Sequence, residues 1–316
     1  RALELFGVKG GKILEPSMGT GAFLAHGHFG SSDAKFYGVE LDSITGRISK
    51  QLYQKANIQV TGYENALLPD NYFDCVIGNV PFGNFQVNDP QYNRLHFPIH
   101  DYFFAKSIDK LRTGGIVAFI TSQGVLDAPS NAPIREYMMR NANLVGVARL
   151  PNNLFTDNAG TEVGSDLIIL QKNSGKKREL YDYEELFVQT EKTPIGSFQN
   201  GYVGSIGMIP HSDLISGTDP YGKPAYKVMH RDGIEQMAED LREHMDIELY
   251  KLDKKLYEMH SLHPAQGKST VTETISTPVV TPEIQPRHEM AVKPEAATPQ
   301  PEEEKSEIEP RRPDYS

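Results

Sequence analysis

Cysteine is nearly missing from this chain: Cys75 is the only one in 316 residues, which excludes an intrachain disulfide and points to a reducing compartment, the cytoplasm. Long apolar runs are missing too. None approaches the roughly 18 residues that cross a bilayer, so no membrane partner is expected. Positive charge is in short supply, with 32 Lys and Arg against 42 Asp and Glu for a formal charge of −10. Residues 261–316 hold ten acidic and six basic side chains and so carry −4 of that total, leaving −6 on the body. A body of that sign is no general binder of polyanions, and contact with nucleic acid has to come from a local patch or another domain. The first residue is Arg1 rather than methionine and no signal peptide is visible, from which a segment of something longer is expected. Metal-binding spacing is also absent. "HGHFG" offers His26 and His28, but no cysteine or acid nearby completes a set, so both are assigned to helix surface or loop and no metal is expected.

What is present is alternation. Seven apolar runs of strand length, "KILEP", "KFYGVEL", "NIQVTGY", "DCVIGN", "GGIVAFITS", "NLVGVARL" and "SDLIILQK", lie between Lys12 and Lys172, most of them separated by helix-length segments. That pattern predicts an α/β fold with a seven-stranded, mostly parallel sheet covered by helices on both faces. The link from Leu150 to Gly164 has little helical periodicity, so the last two strands are expected to pair antiparallel. The expected divisions are an α/β domain over 1–173, an irregular Gly/Pro-rich extension over 174–230, a long amphipathic helix over 231–262 and a disordered Pro/Glu-rich tail over 263–316. Ile234, Met237, Leu241, Met245, Leu252, Leu256 and Met259 give the helix its apolar face, which serves either its own domain or a partner. Nine prolines in the final 56 residues argue for the tail.

"ILEPSMGTGAFL" puts Gly19 and Gly21 directly after the first strand and before a helix, where doubly wound sheets bind ligands. Glu15, at the strand's end, would repel a pyrophosphate and welcome a cation. Leu24 stands where the third glycine of a dinucleotide fingerprint belongs, which also counts against NAD. Glu40 follows Gly21 by 19 residues at the end of the second strand, placed to accept both hydroxyls of a ribose. A tight turn and a solvated strand end are the plain alternatives for these glycines and this acid. "DCVIGNVPFGNF" then ends a buried run on Asn79, Val80, Pro81 and Phe82. An amide beside a flat apolar ring at one rim suits a planar ring that carries an amine, and the alternative is an ordinary strand-ending turn. The loop "NFQVNDPQYNRLHFPIHDYF" just beyond it either reaches nucleic acid, folds over the pocket, or simply packs as a connection.

As a set, "ILEPSMGTGAF", "GVELD", "GYENALLPDNYFD" and "CVIGNVPFG" resemble the S-adenosylmethionine-dependent N6-adenine DNA methyltransferases, most of all the methylase modules of large methylase-helicase proteins of phages and mobile elements. The resemblance covers about Gly7 to Lys172 and makes 1–173 the methyltransferase domain. It implies S-adenosyl-L-methionine as cofactor, DNA as partner and a helicase domain or subunit following the tail. It also implies that Glu15, Pro16 and the Gly19 to Gly21 loop hold the methionine end, Glu40 with Asp42 the ribose and Glu64 the cofactor's adenine amine, with Asn79 and Phe82 bordering the pocket. The clamp on the target amine would be the Asn79 side-chain oxygen and the Val80 carbonyl, with Pro81 fixing the turn and Phe82 stacking on a flipped base. Val80 departs from the family's usual first proline, keeping the carbonyl and adding an N–H. Two other readings use the same residues: methylation of a protein glutamine, and a non-catalytic cofactor-binding scaffold in a DNA-processing or anti-restriction protein. A last expectation concerns "RALELFGVKGG", too short to wrap the pocket, so that cofactor binding and turnover by this chain are expected to be weak.

Overall fold

The computed structural model describes residues 11–26, 34–155, 164–177, 179–219 and 222–261. Residues 1–10, which carry the expectation about a lid, together with His28 and the tail over 263–316, lie outside the described residues, as does the His26 side chain. In chain order come β1 (Gly11–Glu15), α1 (Ala22–His26), β2 (Ala34–Glu40), α2 (Ser43–Leu52), β3 (Asn57–Val60), β4 (Phe73–Asn79), α3 (Ile99–Lys110), β5 (Leu111–Ser122), α4 (Gly124–Asp127), α5 (Ala132–Asn141), β6 (Ala142–Leu150) and β7 (Ser165–Lys172). These seven strands form one sheet in the order β3-β2-β1-β4-β5-β7-β6. The first five run parallel, while β7 sits between β5 and β6 and is antiparallel to both. The α/β class, the mostly parallel sheet and the antiparallel ending all agree with the sequence.

Burial explains why the strands read as unbroken apolar runs. Along β5, Val117 and Phe119 face a core shared with α3 and α5, and Ile116 faces a second cluster on the opposite side of the sheet. Both faces are covered, so alternation is lost. The helix α3 is itself buried on almost every side, with Phe104 fully enclosed and meeting Phe119 edge to face at 5.1 Å. Fully burying one such ring removes enough apolar surface from water to contribute on the order of 1.5–3 kcal/mol.

The region 174–230 is more ordered than its Gly, Pro and Ser content suggests. It holds α6 (Asp182–Val188), the short antiparallel pair β8 (Thr190–Lys192) and β9 (Phe198–Asn200), α7 (Gly201–Ser205), and a seven-residue hairpin of β10 (Ser212–Thr218) and β11 (Pro224–His230). Asp219 and Lys223, from the "GTDPYGKP" cluster, lie between the two strands, where the Asp219 N–H donates to the Lys223 carbonyl at 2.8 Å. The turn residues mark turns, as their chemistry implies, but the strands between them are too short and polar to announce themselves.

The apolar spacing over 231–262 predicts one helix, and the structure has two: α8 (Ile234–Glu248) and α9 (Lys254–Ser261), separated by a 3₁₀ turn at Leu249–Lys251. The cause lies on β7. The Gln171 side chain accepts the Asp253 N–H at 2.8 Å and donates to the Asp253 carbonyl at 3.0 Å, so the sheet takes an N–H that a continuous helix would have used, while the same carbonyl also accepts the Tyr257 N–H at 3.1 Å in α9. Asp253 Oδ1 then accepts the Leu256 N–H and starts α9. Gly114, at φ +84°, lets α9 lie directly on the sheet; a Cβ there would come within 2.5 Å of the Leu256 carbonyl oxygen. Met237, Met245, Leu249 and Tyr257 are buried against β5, β6 and β7 in this way, so this face serves its own domain. Among the described residues no helix is long and apolar enough to cross a membrane.

Candidate active site

The site is assembled where β1, β2 and β4 end. After β1 the chain turns through Gly19 at φ +54° and Gly21 at φ +85°, left-handed conformations that a side chain disfavours. The two glycines differ in surroundings. A Cβ on Gly21 would lie 2.4 Å from the Tyr53 ring, whose hydroxyl donates to the Gly21 carbonyl at 2.8 Å, whereas nothing lies within 4 Å of a Cβ on Gly19. Gly21 therefore locks the loop onto α2, and Gly19 turns its bare face to an open cleft. The Ser49 hydroxyl holds the Gly19 carbonyl at 2.6 Å from below.

Glu40 closes the loop from the next strand. Its Oε2 accepts the Gly19 N–H at 2.7 Å and its Oε1 accepts the Asp42 N–H at 2.9 Å, so each oxygen retains lone-pair capacity for a ligand hydroxyl. Asp42 caps a helix instead. Its Oδ1 accepts the Ile44 and Thr45 N–H groups at the start of α2, and the residue does not line the cleft. Glu15 lies beneath, 2% exposed, and its Oε2 has no hydrogen-bond partner. Burial, and then the charge on Glu40, push its carboxyl up to about 8. A buried acid that lacks a partner beside an open glycine loop is the natural seat for a cation.

The cleft has a volume of about 570 Å³ and brings together Pro16, Gly19, Glu40, Glu64, Asn79 and Phe82, with Val80 and Pro81 also on its wall. Gly21, Glu15 and Asp42 stand outside that lining. Glu64 lies on a 3₁₀ turn after β3, where Oε1 accepts the Asn65 amide at 2.9 Å. Leu41, Val87, Ile99 and Phe103 also line the cleft, and the sequence motifs do not include them as site residues. The signal for Leu41 is an apolar residue left 76% exposed between a strand end and a helix cap; the other three come from the loop after β4 and from α3, and nothing local marks them.

At the mouth, Asn79 is the exposed last residue of β4, and among the described residues no hydrogen bond engages its side-chain amide. Its backbone carbonyl is fixed by the Ser17 hydroxyl at 2.8 Å. The extra N–H that Val80 brings donates to the Ile120 carbonyl at 3.0 Å, extending the β4–β5 ladder by one bond, and its side chain is buried. Hydrogen bonding here replaces the rigidity that a proline would confer. Phe82 is 41% and Phe85 59% exposed on the same rim. The loop over 84–98 is packed at its base, where Asp89 takes the Lys106 ammonium and the Tyr102 hydroxyl, both at 2.8 Å, while Phe85 remains outward. Loop connection and exposed rim thus coexist in one segment.

A family model described as N-6 DNA Methylase matches residues 3–200. Defense against restriction protein B of Escherichia phage P1 is 30% identical over 182 residues, which are 56% of this chain and 8% of that protein. Modification methylase CviBIII of Paramecium bursaria Chlorella virus NC1A is 26% identical over 203 residues, 63% of this chain and 52% of that protein. The chain therefore spans about a twelfth and about half of the lengths of these two relatives. Among solved structures, a class I S-adenosylmethionine-dependent methyltransferase candidate from Listeria monocytogenes aligns with TM-score 0.46 at 20% identity, covering 57% of this chain and 60% of that one.

Proposed function

The chain belongs to the N-6 DNA methylase family, and from that premise we propose that it transfers a methyl group from S-adenosyl-L-methionine to the N6 amine of an adenine in DNA. The observation that carries this reading is Asn79: a side-chain amide with no hydrogen bond among the described residues, beside an exposed ring, on the wall of a cleft whose other side is a glycine loop. The cleft's residues fit such a cofactor. The partnerless Glu15 oxygen suits an ammonium or sulfonium, Glu40 a ribose and Glu64 an adenine amine. Bound there, the cofactor supplies an electrophilic methyl group.

Everything else falls to the chain. The lone pair of an exocyclic adenine amine is delocalised into its ring, so the nitrogen has to become tetrahedral before it can attack. The Asn79 side-chain oxygen and the Val80 carbonyl accept its two N–H bonds and favour that geometry. The Ser17 bond to the Asn79 carbonyl and the Val80 N–H bond to Ile120 fix the backbone from which both acceptors project. Phe82 offers its face to a base taken out of the duplex, where unstacking has to be offset by new stacking. On transfer the amine nitrogen would take the methyl group as the cofactor leaves as its thioether, and the surplus proton would pass from nitrogen along the Asn79 or Val80 hydrogen bond to solvent.

Incubation with radiolabelled S-adenosylmethionine and either unmethylated DNA or total cell protein tests the assignment. Label in DNA that digests to N6-methyldeoxyadenosine is expected. Label confined to protein glutamine would replace this reading with the amide-methylating one.

A further inference from the structure

Away from the cleft, His211, His230 and Asp240 bring three ligand atoms within 4.8 Å of one another, and we infer that they form a binding site for a zinc-like divalent cation. The three come from separate places: His211 just precedes β10, His230 ends β11, and Asp240 lies on α8. No short-range motif joins them, which is why sequence spacing predicts no metal; His26 and His28 are close in sequence, but no cysteine or acid nearby in the sequence completes a set with them.

The donors converge on one carboxylate oxygen. Asp240 Oδ2 is 2.7 Å from His211 Nδ1 and 2.9 Å from His230 Nε2. These are hydrogen-bond distances, with a proton between each pair. An ion bound with bonds of about 2.0–2.1 Å needs its ligand atoms about 3.3 Å apart, so each Asp240–histidine pair has to open by about half an ångström. His211 can provide that. Its side chain is 52% exposed, and its backbone, at φ +53°, already holds a conformation that residues other than glycine rarely adopt.

The surroundings of the triad point the same way. A ligating imidazole generally donates its other ring N–H to a backbone carbonyl or carboxylate, and a ligating carboxylate is itself hydrogen-bonded. His230 Nδ1 lies 3.1 Å from the Asp232 nitrogen and 3.2 Å from the Asp232 carbonyl oxygen. Without an ion the ring accepts the Asp232 N–H and keeps its own proton on Nε2 for Asp240. With an ion on Nε2, the proton sits on Nδ1 and donates to the Asp232 carbonyl, so both tautomers have a partner in place. Asp240 Oδ1 accepts the Gln236 amide at 2.8 Å, leaving Oδ2 for the ion.

Two imidazoles and one carboxylate suit zinc and its neighbours in the first transition row, not calcium or magnesium, which prefer oxygen alone. His230 and Asp240 are buried and His211 borders water, so the fourth position is open to solvent. The ion would fasten the β10–β11 hairpin to α8. Apart from that, β11 is tied to the chain after β6 by Asn152, which accepts the Val228 N–H at 2.8 Å, and by Asn153, which bonds the His230 backbone.

Titration of the chelator-stripped full chain with zinc chloride by calorimetry tests the site, alongside its thermal unfolding and the visible absorption of its cobalt(II) complex. One zinc per chain, a higher unfolding temperature and four-coordinate cobalt bands are expected. His211→Ala and Asp240→Asn should each weaken binding at least tenfold, while a His26→Ala, His28→Ala double variant binds as the parent does. Absence of stoichiometric uptake by the parent overturns the proposal, and so does uptake that His211→Ala leaves unchanged. Either result would make the triad a hydrogen-bonded clip only.

Discussion

Among the described residues the Asn79 side-chain amide and Glu15 Oε2 both lack a hydrogen-bond partner, yet they ask for different ligands. Asn79 faces the mouth, so Asn79→Ala should lower methyl transfer by roughly 100-fold or more and leave cofactor affinity nearly unchanged. Single-turnover rates beside calorimetric binding separate the two quantities, and an equal loss in both would move Asn79 into the cofactor site. Glu15 lies under the glycine loop with its carboxyl raised from 4.5 to about 8. Between those values the folded chain keeps a proton that the unfolded chain has released, so this group's contribution to stability is complete below about 4.5 and declines as pH rises toward 8. Glu15→Gln should flatten that part of the stability profile in denaturant melts. A cationic cofactor favours the carboxylate, so binding at neutral pH should release a proton. Calorimetry in buffers of different ionisation enthalpy would show it, and Glu15→Gln should abolish it.

At the scale of elements, the interruption between α8 and α9 shows a side chain overriding a periodic pattern. Gln171, itself buried, makes three bonds, to the Asp253 N–H and the Asp253 carbonyl at the part-buried edge of the sheet and to the buried Gly114 carbonyl. Gln171→Ala removes them together, at a cost of about 0.5–1.5 kcal/mol for each hydrogen bond lost. A lower unfolding midpoint is expected, with faster amide exchange confined to residues 252–258. Loss of exchange protection in β7 instead would show that the residue supports the sheet and not the helix. The same reasoning explains Val80, where a departure from the family's sequence pattern is absorbed by one more bond of the β4–β5 ladder.

On the scale of the whole chain, the described residues all fall within one compact unit over 1–267. The described strands, the cleft and the histidine–aspartate triad all belong to it. A chain ending at Gly267 should therefore unfold in one transition at the parental temperature and bind the cofactor as tightly. A lower temperature or weaker binding would give the later residues a part in the site. The body's net charge of −6 also predicts a shallow dependence of DNA affinity on salt, because few phosphates can be neutralised. Filter binding between about 50 and 200 mM salt measures this, and a steep slope would reveal a concentrated basic surface.

Local order in the sequence was enough for the class of fold, the seven strands, the glycine loop and the Asn79 rim, because each is written in neighbouring residues: apolar runs of strand length, glycines where φ is positive, an amide and a ring at a strand's end. Other features depend on partners far along the chain. The place of β7 between β5 and β6, the capture of residue 253 by Gln171, the packing of Gly21 under Tyr53 and the meeting of His211 with Asp240 were settled by tertiary structure. Periodicity reports which face of an element is buried, not which distant side chain will take its backbone, and a carboxylate reads the same whether it caps a helix, waits for a cation or holds two imidazoles. Only folding brings each to the atoms that decide among those roles.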